Sequence, residues 1–408
     1  MTRPIWHPLP LRTVTPAFLG RFEDISTRSG EITFPIPSLR GVLAYWLRAL
    51  AGPYVGPDID ELIRVESELF GAASNDTTVP SRILLRGARV QVGELTKPQD
   101  GVRYLMGPGL TDRKSPPARC VAPRTILDVR VKNLGGPLHA DLFLSALWAL
   151  RAFGGIGART RRGFGTLALE SLEKLDLEHS PRFHREWLAD DRIGDLDAVI
   201  ECVRATLRDL GFREASFDGS PTYPCFAPQA FESEEHTLDA RNILSALEIA
   251  GRELKDFRHP KPDGWAPANP QQLPNTVSFR EVVKPFKERR PYEAAFIDGA
   301  LGLPIVYSGK GITTPITVEP VADNGSAGRR ASPLWLRVTD IDNRFKLRSL
   351  AFYSEWLPDG INLRIKKGKS GHPKTVERPS LDAVRSRVES WFTHLDTAAQ
   401  TPGSGIHP

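Results

Sequence analysis

The run GGIGARTRRGFG, residues 154–165, is the most informative segment of this 408-residue chain. It contains five glycines and three arginines, and it has no acidic residue. Glycine permits positive φ angles and a close approach of the backbone to a ligand. One guanidinium group can donate two parallel hydrogen bonds to the oxygens of a phosphate. The run therefore predicts a cationic turn that holds a phosphate-bearing ligand. The alternative is a solvated basic hairpin turn.

The run joins a helix to a strand. Before it, Pro137 begins an apolar helical repeat that continues to residue 153, and after it residues 164–169 have a strand pattern. Farther upstream, apolar residues at helical spacing follow Ser38, and Gly52-Pro53 predicts the end of that helix. Residues 125–132 alternate between apolar and polar side chains, which predicts a half-buried strand.

These elements predict an α+β fold. Residues 1–172 follow the order strand, helix, strands, helix, strand, which is typical of the βαββαβ arrangement of a ferredoxin-like (RRM-like) domain. Strand patterns return in residues 301–396 and predict a second such domain. Residues 173–300 are predicted to be a helical and proline-rich connecting region, so that the two ferredoxin-like domains carry helical insertions. Residues 397–408 are predicted to be a disordered tail.

Composition excludes several classes of protein. The chain has 54 Lys+Arg and 49 Asp+Glu, and this net charge of +5 is too small by itself to indicate a partner. No apolar stretch approaches the length of about 20 residues that a bilayer requires, and no secretory signal is visible, so we expect a cytoplasmic protein without membrane contact. The three cysteines show no C-x-x-C spacing, which favours reduced thiols over a zinc site.

The sequence does not match either of two common nucleotide-binding motifs. A dinucleotide fingerprint starting at Gly155 would need a third glycine where Thr160 stands, and it should follow a strand and not a helix. A P-loop ending at Lys310 fails because Pro304 and Gly311 occupy the positions of its first glycine and its hydroxyl residue. No H-E-x-x-H pattern appears, so the sequence predicts neither a metal nor a cofactor.

Three segments resemble a known family. GIGARTRRGFG at 155–165, together with PSLRG at 37–41 and WLR at 46–48, resembles the RAMP superfamily of CRISPR proteins. Within it, LGLP at 301–304 and RRASPL at 329–334 are similar to the second half of the first subunits of type III-B (Cmr) effector complexes. The resemblance implies two ferredoxin-like domains, no catalytic role, and other RAMP subunits of the Cmr complex as partners. It also implies that the chain holds the 3′ region of the guide RNA, close to target RNA, in antiviral defence.

We therefore predict an RNA-binding surface without catalytic residues. Because contacts to phosphates carry no base information, we expect little sequence specificity. Phe164 is the best candidate for stacking on an unpaired base, whereas Trp46 and Trp148 lie on apolar helix faces and are predicted to be core residues. The predicted RNA-binding residues are Arg40, Arg48, Gly155, Gly157, Arg159, Thr160, Arg161, Arg162, Gly163, Phe164, Gly165, Arg329 and Arg330.

Alternatives stay open at this point. An endoribonuclease would need a histidine or a metal-assisted carboxylate near the scissile phosphate, and Asp24 and Asp76 lie in predicted loops where such a group could act. A protein-binding scaffold would bury the glycine- and arginine-rich turn against a neighbouring subunit. On a smaller scale, Arg48 could pair with Glu66 or Glu68 instead of RNA.

Overall fold

A computed structural model describes most of the chain. The described residues are 5–19, 30–73, 78–107, 109–111, 118–173, 175, 177, 182–189, 193–260, 276–309, 312–341, 344–368 and 372–408. The helices are α1 (Ile36–Val55), α2 (Ile59–Phe70), α3 (Asp100–Met106), α4 (Pro137–Phe153), α5 (Glu186–Ala189), α6 (Leu196–Asp209), α7 (Ile243–Arg258), α8 (Lys284–Lys287) and α9 (Leu381–Ala399). The strands are β1 (His7–Thr13), β2 (Glu31–Thr33), β3 (Ala72–Ala73), β4 (Thr78–Val79), β5 (Ile83–Gly87), β6 (Arg89–Gln91), β7 (Gly93–Leu95), β8 (Ala118–Cys120), β9 (Ile126–Asn133), β10 (Leu167–Leu169), β11 (Phe231–Leu238), β12 (Ile305–Gly309), β13 (Ile312–Ala322), β14 (Leu334–Ile341), β15 (Arg344–Phe352), β16 (Ile361–Lys367), β17 (Lys374–Val376) and β18 (Ile406–His407).

The first sheet is antiparallel and has the order β10-β1-β9-β5. Numbered along the chain, its four strands lie in the order 4-1-3-2, with α1 in the first connection and α4 in the last. Both helices bury their apolar faces in the core of this unit, and Trp46 and Trp148 are core residues, as predicted. On β9, the alternating Leu127, Val129 and Val131 are buried, which confirms the half-buried strand.

Helix α1 continues past the predicted stop at Gly52-Pro53 and ends at Val55. Pro53 has no amide hydrogen for the carbonyl of Ala49, and the backbone N–H of Phe226 donates to that carbonyl instead, at 3.0 Å. Gly52 is needed there because an added Cβ atom would lie 2.5 Å from the Cβ atom of Cys225. A distant segment thus satisfies the backbone group that proline leaves open, and the helix continues.

The second sheet has the order β14-β15-β11-β18, and it follows the same plan. Helix α7 comes after β11 and α9 comes before β18, so the strands again lie in the order 4-1-3-2 along the chain. This unit begins at Phe231, which corrects the predicted boundary at residue 301. The predicted disordered tail is also wrong, because Leu238 pairs with Ile406, which is completely buried.

A third sheet, β12-β13-β16-β17, is inserted into the second unit. Its first two strands lie between α7 and β14 in the chain, and its last two lie between β15 and α9. It has its own apolar core, to which Ile316, Val318, Leu363 and Ile365 contribute. The α+β class is confirmed, and this inserted sheet is the main feature that the sequence did not predict. Among the described residues, no helix combines the length and apolar character that a membrane span requires.

A buried arginine, Arg348, joins the two main units. Arg348 on β15 donates from Nε and Nη2 to Oε2 of Glu235 on β11, at 3.0 and 2.5 Å. Its Nη1 donates at 2.8 Å to the carbonyl of Ala152, near the end of α4. Lys346 Nζ lies 2.5 Å from the other carboxylate oxygen of Glu235. One guanidinium group therefore connects the second sheet to the first unit.

We expect acid to weaken the fold through Glu235 and Glu319. Burial alone would raise the pKa of each carboxyl group, but neighbouring Arg and Lys side chains outweigh burial and hold both pKa values below the ordinary 4.5. A carboxyl group whose pKa is lower in the folded than in the unfolded state stabilises the fold at pH values above the unfolded-state pKa. This stabilisation is lost as the pH falls through the folded-state pKa. The free energy of unfolding, measured by urea denaturation, should therefore drop below about pH 4.5, and Glu235→Gln/Glu319→Gln should make that drop shallower. An equally steep drop in the double variant would contradict this assignment.

Candidate nucleic-acid interface

The run at residues 154–165, called the Gly/Arg run below, leaves α4 and folds back on itself. The N–H of Ile156 donates to the carbonyl of Gly165 at 2.9 Å, and the N–H of Ala158 donates to that of Phe18, also at 2.9 Å. Farther along, the backbone of Arg162 forms a bridge with Leu336 on β14. The run is therefore held between the first unit and the second sheet.

The four predicted RNA-binding glycines of the run serve this packing. An added Cβ atom would lie 2.4 Å from the carbonyl oxygen of Phe18 at Gly157 and 2.0 Å from that of Ile156 at Gly165. At Gly155 it would meet the carbonyls of residues 164 and 165 at 2.8 Å, and Gly163 has a φ of +82°. The prediction of a close approach of RNA is corrected at Gly155, Gly157 and Gly165, because the space beside them is filled by the chain's own backbone. At Gly163 it stays a prediction.

Phe164 is also placed differently from the prediction. Its ring is completely buried, and its centroid lies 5.0 Å from that of Phe18. A base cannot stack on a ring that has no exposed surface, so the predicted stacking role is wrong. The aromatic residue of the run contributes to the core that the second sheet shares with α7.

Arg40 and Arg48 both contact α2. Arg40 donates to the carbonyls of Phe70 and Gly71 at the carboxyl end of α2, the second at 3.1 Å. Arg48 forms an ion pair with Glu66, which is the structural alternative raised above. The two side chains connect α1 to α2, and we do not include them in the interface.

The arginine side chains of the Gly/Arg run point to the second basic pair of the sequence. Arg161 Nη1 donates at 2.6 Å to the carbonyl of Ser332, and its guanidinium lies 4.6 Å from the ring centroid of Trp335. Burial lowers the pKa of Arg330, and the nearby charge of Arg161 lowers it further. Residues 161 and 330 are thus electrostatic neighbours in the folded chain, although 169 positions separate them in sequence.

The other arginines of the run also have arginines from distant segments as electrostatic neighbours. Burial and the charge of Arg329 lower the pKa of Arg159. Burial and then Arg258 are the main causes that lower the pKa of Arg162 to about 10, so its side chain keeps its charge at neutral pH. Like charges held this close repel one another, and a polyanion would relieve that repulsion. We call Arg159, Arg161, Arg162, Arg258, Arg329 and Arg330 the arginine cluster.

Arg258 is a member that the sequence did not reveal. It is the last residue of α7, and a single cation at the end of an amphipathic helix looks like any solvated residue. Thr160, by contrast, was predicted, and it lies in the half-buried turn between Arg159 and Arg161. Sequence reasoning therefore found most of the cluster but placed it in two separate groups.

Two groups of residues with catalytic or metal-binding chemistry do not belong to the arginine cluster. His139 is buried with Nε2 2.8 Å from Glu68, whereas Asp24 and Asp76 lie outside the described residues. Glu234, His236 and Asp396 have ligand atoms within 4.8 Å of one another and could hold a metal ion. We assign no metal to them, because Asp396 is exposed and such surface groups are common without an ion.

Comparisons with known proteins agree with the resemblance. Residues 10–168 match the model of the RAMP superfamily. The chain is 29% identical over 233 residues to CRISPR system Cmr subunit Cmr1-1 of Pyrococcus furiosus, covering 54% of this chain and 64% of that relative. It is 28% identical over 187 residues to Cmr1-2 of the same organism, covering 40% of this chain and 95% of that relative.

The fold agrees as well. The crystal structure of Cmr1 from Pyrococcus furiosus in its apo form matches with a TM-score of 0.50 and 19% identity, covering 94% of this chain and 97% of that one. At that identity the match shows similarity of fold only. The sequence match to Cmr1-1 spans less than two thirds of that relative's length. The family model and the relatives confirm the resemblance to the RAMP superfamily and to Cmr subunit 1, and the fold is similar to that of Cmr1.

Proposed function

We propose that this chain is a non-catalytic, RNA-binding subunit of a type III-B Cmr effector complex. The similarity to relatives named as Cmr subunits supports membership of such a complex. The arginine cluster supports RNA binding. The family resemblance implies that the bound RNAs are the guide RNA and the target RNA of the complex. We also propose that the first and second sheets, each with its two connecting helices, are ferredoxin-like halves, because the strands of each lie in the order 4-1-3-2.

One observation carries the RNA-binding proposal: the two basic groups of the sequence meet in the folded chain. Arg161 reaches the backbone of Ser332, and the charges of Arg159 and Arg329 influence each other. A single-stranded RNA passing this point would neutralise several guanidinium groups at once. Each neutralised phosphate contributes about 0.7 to the slope of log affinity against log salt concentration.

The test removes three charges from the arginine cluster. We expect Arg159→Gln/Arg162→Gln/Arg329→Gln to weaken binding of single-stranded RNA at least about tenfold at low salt and to reduce the salt slope by about 2. Glutamine keeps most of the side-chain length and one donor. Fluorescence anisotropy of a labelled RNA, titrated with the full chain at several salt concentrations, measures both quantities.

A second variant controls for the loss of charge alone. Arg89, Arg182 and Arg204 each lie beside a carboxylate, at 3.7, 2.5 and 2.8 Å, and none belongs to the arginine cluster. Replacing these three with glutamine removes the same charge and should leave the salt slope unchanged. Equal slopes for the cluster variant and the unmodified chain would refute the proposed site and favour the scaffold alternative.

The non-catalytic role has its own test. We expect labelled RNA to keep its length during incubation with the purified chain and Mg²⁺, because the guanidinium groups of the arginine cluster stay protonated and can neither accept a proton nor bind the metal ion. Cleavage that disappears on Asp24→Ala or Asp76→Ala would establish the endoribonuclease alternative. A separate experiment, crosslinking of RNA to the arginine cluster within the assembled complex, would decide whether the bound strand is the 3′ region of the guide RNA or the target RNA.

A further inference from the structure

Sites for single-stranded RNA combine cations with aromatic rings on which bases stack. The rings inside and next to the Gly/Arg run are already engaged: Phe164 is completely buried, and Tyr45 contacts the rings of Trp46 and Trp335. Tyr104 on α3 is different. It is half-buried, and within the part of the chain that the structure describes its ring contacts one other aromatic ring, that of His259.

Tyr104 lies on the outer side of its helix. The buried side chains Val102, Leu105 and Met106 are three and four positions apart and form one side of α3, whereas Tyr104 lies on the opposite side. Its ring centroid is 6.0 Å from that of His259, and the two planes make an angle of 83°. This contact is edge to face, so it uses at most one face of the Tyr104 ring. The exposed part of the ring can therefore take a base.

Two arginines of the Gly/Arg run reach α3 beside Tyr104. Nη1 of Arg162 donates to the carbonyl of Tyr104 at 3.4 Å. One turn farther along α3, a Cβ atom added to Gly107 would lie 3.5 Å from Nη2 of Arg159. After burial and the charge of Arg258, the Tyr104 side chain is the next group that acts on the pKa of Arg162. Phosphate-binding groups therefore lie next to the ring.

A further arginine, Arg387, approaches the same place from α9. Its Nη2 donates at 3.2 Å to the carbonyl of Phe257, the residue before Arg258, and its guanidinium lies 4.1 Å from the ring centroid of Phe257. Burial lowers the pKa of Arg387, and Asp298, Arg258 and Tyr104 are the charged or titratable groups that also act on it. Tyr104 thus has cations near it from the Gly/Arg run, from α7 and from α9.

Close packing of α3 on α7 fixes the position of Tyr104. An added Cβ atom would lie 2.2 Å from the carbonyl oxygen of Glu248 at Gly101, and 2.1 Å from the carbonyl oxygen of Gly101 at Gly251. The N–H of Val102 also donates to Oε2 of Glu248 at 3.0 Å. Helices that touch through their backbones hold their side chains in place before a ligand arrives, which reduces the entropy lost on binding.

We propose that Tyr104 stacks on an unpaired base of the RNA that the arginine cluster binds, and that Arg387 contacts a phosphate next to this base. The inference rests on the proposed RNA binding and adds the group that contacts a base. Stacking accepts any base, because every base has a π face. The site therefore selects unpaired RNA over duplex RNA and does not select a sequence.

Binding of two strands by the full chain tests the stacking. One is a single-stranded RNA of about ten nucleotides, and the other is an abasic strand of the same length, which keeps the phosphates and lacks the bases. We expect Tyr104→Leu to bind the RNA about five- to tenfold more weakly. Its affinity for the abasic strand and its salt slope should stay unchanged, because the phosphate contacts remain.

Three further variants complete the test. Tyr104→Phe keeps the ring and should bind both strands as the unmodified chain does. Tyr292→Leu removes another half-buried tyrosine, which donates to the carbonyl of Thr375 in the third sheet, and should also leave both affinities unchanged. Arg387→Gln should reduce the salt slope by about 0.7 for both strands, because one phosphate contact is lost.

The outcomes separate the inference from the proposed function. Unchanged RNA affinity in Tyr104→Leu, or an equal loss for both strands in a variant that circular dichroism shows to be folded, would overturn the stacking. A normal salt slope of the unmodified chain would then leave the proposed function intact, whereas no salt-dependent binding by that chain would refute both. Photocrosslinking of RNA containing 5-iodouracil needs no variant: mass spectrometry should find the crosslink on Tyr104, and crosslinks confined to other residues would overturn the inference.

Discussion

Arg348→Met is expected to lower the free energy of unfolding by about 3 kcal/mol. The substitution removes both donors to Glu235 and the donor to the carbonyl of Ala152, so it breaks the pair inside the second sheet and the bond to the first unit. Removing one partner of a buried pair typically costs about 3–5 kcal/mol. Lys346 stays beside Glu235, which places the expected loss at the lower end. Urea denaturation followed by tryptophan fluorescence measures it.

The double variant Glu235→Gln/Arg348→Met separates the charge from the packing. It leaves no uncompensated carboxylate, so its loss should be smaller than the sum of the two single losses by at least about 1 kcal/mol. Additive losses would show that the pair is not coupled and would contradict the buried ion pair assigned to Glu235 and Arg348.

Gly165→Ala should have an effect of similar size, about 3 kcal/mol or more. The residue has a φ of +70°, and an added Cβ atom would lie 2.0 Å from the carbonyl oxygen of Ile156. That oxygen belongs to the backbone and cannot move away as a side chain could. The Gly/Arg run would have to open, and with it the packing of Phe164. Thermal unfolding by circular dichroism should show a large fall in Tm or a loss of folded protein.

Gly211→Ala provides the matched control. Gly211 has a φ of +78°, but nothing lies within 4 Å of the position that a Cβ atom would take. It therefore has the backbone strain without the collision, and we expect a loss of only about 1 kcal/mol. If the two variants lose the same stability, the close packing at residue 165 is not what the glycine is needed for.

The units of this fold could be predicted to different extents from the sequence. Residues 1–172 contain one complete sheet, and the alternation that predicts a strand at residues 125–132 is present in β9. The second unit was placed too late in the chain. Its first strand, β11, carries Glu234, Glu235 and His236 in succession and has no apolar alternation. Its last strand has two residues, too few for any periodic pattern to be recognised.

The candidate site shows the same division. The sequence alone shows which residue types are available: the arginines at 159, 161, 162, 329 and 330, and the glycines around the first group. The folded chain brings the two groups together, adds Arg258 to them, and uses the glycines and Phe164 for packing. Periodicity and composition report on neighbours within about one turn or one strand. Pairing between β14 and the Gly/Arg run joins residues more than 170 positions apart, and such pairing depends on the shape and burial of the whole fold.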